Sequence, residues 1–334
     1  MRTMASRFAK RCLVIASVLC VAIAADGAQA PNGAPPATTP AGSGPYKAVM
    51  EMDPLLPGDT VYRPADLSAL GSDRLPIVVW GNGACADAGN AFESFLTEIS
   101  SYGYFIVALG PIKTLRPMHF PGPPPRPQGE GATPPRPQGA NRTSVPMNLP
   151  PAATHPAQLI AAMNWAIAEN QRSGSQYYRH LDSKKIAVMG QSCGGVQALE
   201  VAADPRITTA VIWNSGLFPQ PTKMGGGKTM SKSDLKLLHS PIAYISGDSE
   251  DIAFNNSNDD FKQITSIPAF RGYERGVAHG GTYNQPNGGE YAGVAISWLN
   301  WQLKGDQRSG LMFRGENCGL CVNPRWVVHK KNIE

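Results

Sequence analysis

Two features are missing from this sequence, and each excludes a class of protein. No cluster of basic residues stands out, although such clusters are the usual footprint of a protein that binds nucleic acid. The apolar run at residues 12–25 is shorter than the roughly 20 residues of a membrane-spanning helix, which argues against a stable membrane anchor. Charged residues make up only 16% of the chain and hydrophobic residues 42%, so we expect a packed globular domain.

The first 30 residues have the pattern of a secretory signal peptide. Four basic residues precede the apolar run, and an Ala-Gln-Ala sequence typical of a cleavage site ends at Ala30. This segment holds four of the 30 basic and one of the 25 acidic residues, so removing it leaves 26 and 24, a net charge of +2. The pattern therefore predicts a secreted or periplasmic protein that has lost most of its basicity.

Proline and glycine divide the rest of the chain. The Pro-, Ala- and Gly-rich residues 31–44 predict a flexible leader. Residues 111–151 contain 13 prolines, including a repeated Pro-Pro-Arg-Pro-Gln-Gly sequence, and favour polyproline II or disorder. We interpret residues 111–151 and 217–240 as two insertions in a single domain that covers residues 45–304. Residues 305–334 are predicted to be a C-terminal tail.

Strands and helices alternate along the predicted domain. Continuous apolar runs such as residues 75–80 are typical of parallel strands that are buried on both faces. Residues 91–102, 154–171 and 290–304 have the apolar spacing of amphipathic helices. The alternation predicts an α/β fold with a mostly parallel central sheet of about eight strands and helices on both faces.

The most informative stretch is residues 184–196, where an apolar run meets Gly190-Gln191-Ser192-Cys193-Gly194. A strand that turns sharply into a helix needs small residues near the turn, and it strains the backbone of the central serine. The strain projects the hydroxyl from the sheet edge and places the amide of Cys193 beside it as an oxyanion donor. Ser192 is therefore the candidate nucleophile.

Two more reactive side chains follow later strands. His279 lies among small residues after the last predicted strand, and histidine can act as the base for a serine near neutral pH. A carboxylate should orient its imidazole, and Asp248, Glu250 and Asp251 compete for this role. We favour Asp251, four residues after Gly247, with Asp248 as the next choice. A weaker reading of the acidic residues here is a calcium site formed by Asp248, Glu250, Asp259 and Asp260. We expect no metal or organic cofactor.

These motifs resemble the α/β-hydrolase superfamily. Residues 188–195 are similar to the V-M-G-x-S-x-G-G turn of dienelactone-hydrolase-like and bacterial polyester-hydrolase (cutinase-like) serine esterases. The spacing from Gly247 to Asp251 and the position of Trp213 at a strand end also match that group. The resemblance covers roughly residues 45–304.

The resemblance implies a secreted esterase in which Ser192 attacks the carbonyl, His279 transfers the proton and Asp251 orients His279. Its partner would be a small or polymeric ester substrate. The alternatives are an esterase directed at polyester or plant-wall esters, and an amide or peptide hydrolase with the same three residues. A non-catalytic binding protein is least favoured, since such proteins usually lose the nucleophile or the histidine. Trp213 and Phe254 are candidates to line the acyl pocket, with core packing as the alternative for each.

The resemblance also indicates where a second oxyanion donor would lie. Such esterases often have a His-Gly or Pro-Gly pair in the first oxyanion loop, and Asn82-Gly83 takes that place here. We favour the amide of Ala84 as the partner of the Cys193 amide, with Asn82 or Gly83 as alternatives.

Four cysteines remain after residue 30, and an even number in an exported protein predicts two disulfides. Of the three possible pairings we favour Cys85–Cys193 together with Cys318–Cys321. Cys85 follows the proposed donor Ala84, and the two oxyanion loops must meet, so a bridge between them is geometrically reasonable. Buried free thiols are the alternative.

Overall fold

The structure is a computed structural model that describes residues 42–114 and 151–334. The predicted signal peptide, the leader up to residue 41 and most of the first proline-rich insertion lie outside these residues. Within the two described segments, no helix is both long and apolar enough to cross a membrane.

One sheet of nine strands forms the centre of the described structure. Its strands along the chain are β1 (Ala48–Glu51), β2 (Asp59–Pro64), β3 (Leu75–Gly81), β4 (Phe105–Leu109), β5 (Leu181–Gln191), β6 (Thr209–Trp213), β7 (Ile242–Gly247), β8 (Ala269–Glu274) and β9 (Trp326–Lys331). Their order across the sheet is β1-β2-β4-β3-β5-β6-β7-β8-β9. The pairs from β4 to β8 are parallel, whereas β1–β2, β2–β4 and β8–β9 are antiparallel. The structure is therefore an α/β fold with a mostly parallel sheet.

Helices cover both faces of this sheet. They are α1 (Glu93–Ser101), α2 (Pro156–Gln171), α3 (Cys193–Val201), α4 (Phe254–Gln263), α5 (Gly289–Lys304) and the short α6 (Gln307–Gly310) and α7 (Gly319–Val322). Alternate residues of β5 enter opposite cores because side chains along a strand alternate between the faces. Val188 packs in the core that contains residues of α2, α3 and α4, whereas Met189 packs in the core with α1 and α5.

The ninth strand lies in the segment that we predicted to be a tail. β9 pairs antiparallel with β8 over its whole length, from Lys331 opposite Ala269 to Trp326 opposite Glu274. Only Trp326 of this strand is buried, because the strand lies at the edge of the sheet and its second half, His329-Lys330-Lys331, is polar. The prediction of about eight strands was one short for this reason.

Two further local features lie in polar parts of the sequence. Helix α4 was not predicted, because Phe254 and Phe261 are the only apolar residues in its ten positions. The second insertion contains a 3₁₀-helix, Lys232–Leu237. An isolated β-bridge between Thr222 and Met230 also shapes this insertion.

Candidate active site

The turn between β5 and α3 consists of one residue, Ser192. Its φ of 54° and ψ of −119° are unusual for a residue with a side chain, and such strain persists only where the surrounding structure imposes it. A β-carbon on Gly190 would lie 2.2 Å from the carbonyl oxygen of Gly194, and one on Gly194 would lie 2.1 Å from that of Gly81. The glycine spacing therefore reflects the close approach of β3, β5 and α3.

Ser192, His279 and Asp251 lie in one continuous series of hydrogen bonds. His279 Nε2 is 2.9 Å from Ser192 Oγ, and His279 Nδ1 is 2.7 Å from Asp251 Oδ1. Because a carboxylate can only accept, Nδ1 donates to Asp251 and Nε2 is left to accept from the serine hydroxyl. The side chain of His279 is 24% exposed and that of Asp251 is 0% exposed, so the imidazole reaches solvent while the carboxylate does not.

Asp251 is buried but is surrounded by donors. Besides His279, its Oδ1 accepts from the amide of Ala253 at 2.9 Å, and its Oδ2 accepts from the amide of Gly247 at 3.1 Å and from Asn214 Nδ2 at 2.8 Å. Burial alone would raise the pKa of this carboxyl, but the hydrogen bond and charge of His279, with the bonds from Ala253 and Asn214, lower it below its ordinary value of 3.8. The carboxylate is therefore ionised at neutral pH.

Asp248, the alternative acid, has a different role in the same loop. Its Oδ2 accepts from the amide of Gly276 at 2.7 Å, and its own amide donates to the carbonyl oxygen of Val277 at 3.0 Å. These bonds fasten the acid loop to the segment that precedes His279. Asp251, rather than Asp248, is the acid in contact with the imidazole.

The acidic residues considered as calcium ligands are not brought together. Asp260 accepts from Lys232 Nζ at 2.6 Å and from the amide of Leu217 at 2.8 Å, and Asp259 lies 3.1 Å from the same lysine. Across residues 42–114 and 151–334, no group of three or more His, Cys, Asp or Glu side chains could hold a metal ion.

Two disulfides have the predicted pairing, Cys85–Cys193 and Cys318–Cys321. Cys85 ends the 3₁₀ turn Gly83–Cys85 after β3, and Cys193 is the first residue of α3. The first bridge therefore links the loop after β3 to the turn that holds Ser192. It is almost completely buried, with Cys85 0% and Cys193 6% exposed.

The backbone amides of Ala84 and Cys193 are available as donors. The first amide of a helix has no acceptor within that helix, and Cys193 occupies this position in α3. Neither amide donates to another backbone group in the described part of the chain. Ala84 is exposed and has a φ of 55°, so the loop turns sharply at this residue. The choice of Ala84 over Asn82 or Gly83 stays a prediction.

Asn82 has a structural task in this loop. Its side-chain Oδ1 accepts from Trp80 Nε1 at 2.9 Å, and its Nδ2 donates to the carbonyl oxygens of Ala86 and Leu109 at 3.0 and 2.6 Å. The side chain is fully buried. Asn82 therefore shapes the loop that presents the amide of Ala84.

Of the two alternatives for Trp213, the structure favours core packing. Its side chain has 0% exposure and packs against Phe95 and Tyr291, with ring centroids 5.1 and 5.5 Å away. A side chain without accessible surface cannot line an acyl pocket, so core packing accounts for Trp213. Phe254 packs edge-on against Tyr273 and lies under the guanidinium of Arg271, and its role in a pocket stays a prediction.

Sequence reasoning missed two polar side chains around the candidate site. Asn214 follows β6 directly, has a φ of 41° and contacts both Asp251 and Tyr283. Gln191 Nε2 donates to the carbonyl oxygen of His279 at 3.2 Å. The available signal was positional, since both residues stand at the carboxyl ends of parallel strands, where functional side chains collect.

No family model matches the chain, and no curated protein matches it. A functional assignment therefore depends on the sequence motifs and on the geometry described above.

Proposed function

We propose that this protein is a serine hydrolase of carboxylic esters with the α/β-hydrolase fold, of the dienelactone-hydrolase-like or cutinase-like type. The observation that carries the proposal is the hydrogen-bonded series of Ser192, His279 and Asp251, with separations of 2.9 and 2.7 Å. The three residues follow β5, β7 and β8 in the chain order serine, acid, histidine, which is the order typical of that superfamily.

In the proposed reaction, His279 Nε2 takes the hydroxyl proton while Ser192 Oγ attacks the ester carbonyl carbon. The resulting imidazolium is stabilised by Asp251 and gives its proton to the alcohol as the carbon–oxygen bond breaks. Water then attacks the acyl-enzyme, with His279 again accepting the proton, and the acid leaves with Ser192 restored. In these steps His279 carries out every proton transfer, and Asp251 stabilises its charged form.

The negative oxygen of each tetrahedral intermediate would be held by the amides of Ala84 and Cys193. The Cys85–Cys193 disulfide supports this assignment because it joins the residue after one proposed donor to the residue that carries the other. Donors that are already in place need no reorganisation during the reaction, so a covalent link between their loops would favour the transition state.

Export of the protein is part of the same proposal. Two disulfides suit a compartment outside the reducing cytosol, and residues 1–30 have the signal-peptide pattern. We expect the protein recovered from a secreting host to begin just after Ala30. N-terminal sequencing that finds residue 1 on exported protein would contradict this part of the proposal.

The test is hydrolysis of p-nitrophenyl esters of increasing acyl length, compared with peptide p-nitroanilides and a polyester film. We expect turnover of the soluble esters by the wild type and only background turnover by Ser192→Ala. Ser233→Ala is the matched control, because it removes an exposed serine hydroxyl of the second insertion. Full activity in Ser192→Ala would refute the nucleophile, and cleavage of the anilides alone would refute the substrate class.

A further inference from the structure

The side-chain amide of Asn214 lies between the buried acid and a buried tyrosine. Its Nδ2 donates to Asp251 Oδ2 at 2.8 Å, and its Oδ1 accepts from the hydroxyl of Tyr283. Asn214 is 0% exposed and Tyr283 is 1% exposed, so bulk water does not compete for these bonds. A carboxylate can only accept, so the NH₂ group of Asn214 must face Asp251 and its oxygen must face Tyr283.

These contacts form a closed ring. His279 donates to Asp251, Asp251 accepts from Asn214, Asn214 accepts from Tyr283, and the backbone between Tyr283 and His279 completes the circuit. The ring joins the segments that follow β6, β7 and β8. Rotating the carboxylate of Asp251 therefore requires breaking contacts in two other loops.

The backbone of Asn214 is held in place from a second direction. Its φ of 41° lies in the left-handed region, which asparagine tolerates better than most residues. Its amide donates to the carbonyl oxygen of Ile245 on β7 at 2.8 Å. The amide side chain is therefore aimed at Asp251 by the sheet as well as by Tyr283.

We propose that Asn214 and Tyr283 are positioning residues for the proposed ester hydrolysis. Tyr283 fixes the orientation of the Asn214 amide, and Asn214 holds Asp251 with Oδ1 directed at His279. This inference rests on the proposed function and adds a specific claim to it. Full activity requires the Asn214 amide on Asp251 Oδ2, the oxygen that does not touch the imidazole, in addition to the backbone amide of Gly247.

A pH profile can report on this ring because the surrounding groups keep their charge. The titratable groups that face Asp251, besides His279, are Arg271 on β8, Tyr283 in the loop after β8 and Tyr291 on α5. Asp248 in the same loop instead accepts from the backbone amides of Glu250 and Gly276. Burial raises the pKa of both tyrosines well above 10 and lowers the pKa of Arg271 to about 10. None of these three changes charge between about pH 5 and 8, the range in which imidazoles titrate.

The test compares Asn214→Leu, which removes the amide at similar size, with Tyr283→Phe, which removes only the hydroxyl. We expect kcat/KM to fall about 10- to 100-fold in Asn214→Leu, mostly in kcat, as for loss of a hydrogen bond to a charged group. In Tyr283→Phe we expect kcat/KM to fall about 3- to 10-fold, since the Asn214 amide remains but can rotate. In Asn214→Leu the acid limb of the kcat/KM profile should move to higher pH, because the imidazolium faces a carboxylate with one donor fewer. In Tyr283→Phe it should move in the same direction by less, because the amide can turn away from Asp251.

Tyr104→Phe is the matched control. Tyr104 is also fully buried, and its hydroxyl donates to Asn300 Oδ1 at 2.6 Å, so the variant loses the same kind of bond elsewhere in the molecule. It should keep the kcat and the acid limb of the wild type. A loss of kcat in Tyr104→Phe equal to that in Tyr283→Phe would show that buried hydroxyls act through stability alone, and would overturn the proposal.

The remaining outcomes separate the inference from the function on which it rests. If the wild type hydrolyses no ester and its Ser192 reacts with no fluorophosphonate, the proposed function fails and the positioning role fails with it. If the wild type is active while both ring variants stay within about twofold of it and keep its acid limb, only the positioning role is wrong. If Asn214→Leu does not fold, Tyr283→Phe decides the question by the same two readouts.

Discussion

Asp251 and Asp260 are both fully buried carboxylates at the two ends of one loop-helix segment, yet their surroundings shift their pKa values in opposite directions. Both side chains are 0% exposed. Donors from three different loops surround Asp251, and its pKa is lowered. Burial raises the pKa of Asp260 to about 6 even though Lys232 and the amide of Leu217 donate to it. At Asp260 burial therefore outweighs the donors, whereas at Asp251 the donors together outweigh burial, and this balance sets each pKa.

The two carboxylates also connect different parts of the molecule. Asp251 faces His279 in the candidate active site. Asp260 binds helix α4 to Leu217 and Lys232, which belong to the second insertion. We therefore expect changes at Asp251 to affect the rate of reaction and changes at Asp260 to affect stability.

The largest expected effect separates the two residues by activity. Asp251→Asn should lower kcat/KM by about 10⁴-fold, because an amide can offer its NH₂ group to Nδ1 and so favour the wrong imidazole tautomer. Asp260→Asn should stay within about threefold of the wild type, since it touches no reacting group. Steady-state ester hydrolysis measures kcat/KM of both variants. Equal losses of kcat/KM would contradict the assignment of a catalytic role to Asp251 and a structural role to Asp260.

The next effect concerns stability. Lys232→Met leaves Asp260 buried without its cation, and breaking a buried pair by removing one partner costs about 3 kcal/mol of unfolding free energy. The double variant Lys232→Met with Asp260→Asn should recover part of this loss. Urea denaturation gives the unfolding free energy of each variant. If Lys232→Met is as stable as the wild type, the pair of Lys232 and Asp260 contributes nothing to stability.

The pH dependence of stability should have opposite signs at the two residues. Between its ordinary pKa of 3.8 and about 6, Asp260 keeps a proton in the folded state that the unfolded chain has lost, so its contribution to stability falls as pH rises through this range. Asp251 has a lowered pKa, so its contribution is present above pH 3.8 and is lost as pH falls below that value. Urea midpoints from pH 3 to 7 should show the wild type losing stability relative to Asp260→Asn between about pH 4 and 6. A constant difference would contradict this.

The smallest effect is expected at Asp259, the second acid beside Lys232. Its carboxylate is 45% exposed and 3.1 Å from the ammonium group. Exposed pairs contribute little, so Asp259→Asn should change the unfolding free energy by no more than about 0.5 kcal/mol. A loss as large as that of Lys232→Met would mean that the exposed acid, and not Asp260, is the partner that matters.

The parts of the structure that could be predicted are those that depend on local pattern. The apolar run and the glycines around Ser192 determine a strand, a tight turn and a helix within a few residues, and the order of the three reactive groups follows from the alternation of elements. The bridge between Cys85 and Cys193 could be predicted, because two loops that both donate to one oxyanion must lie close together. Whether these features form an esterase stays a proposal.

The parts that could not be predicted depend on tertiary contacts. Asn214 is one of many polar residues after a strand, and only the folded chain places it between Asp251 and Tyr283. Trp213 ends a strand and could have faced either a pocket or the core, and the aromatic residues that bury it come from distant segments. β9 has only three apolar residues before a polar end, so its sequence resembles a tail until β8 pairs with it.

The most direct measurement is the site at which a fluorophosphonate reacts with the folded protein. After labelling, digestion and mass spectrometry, the adduct should lie on the peptide that contains Ser192, and it should be absent from Ser192→Ala. Labelling of His279→Ala should be much slower, because the serine has lost its base. An adduct on another serine, or undiminished labelling of Ser192→Ala, would contradict the assignment of Ser192 as the nucleophile.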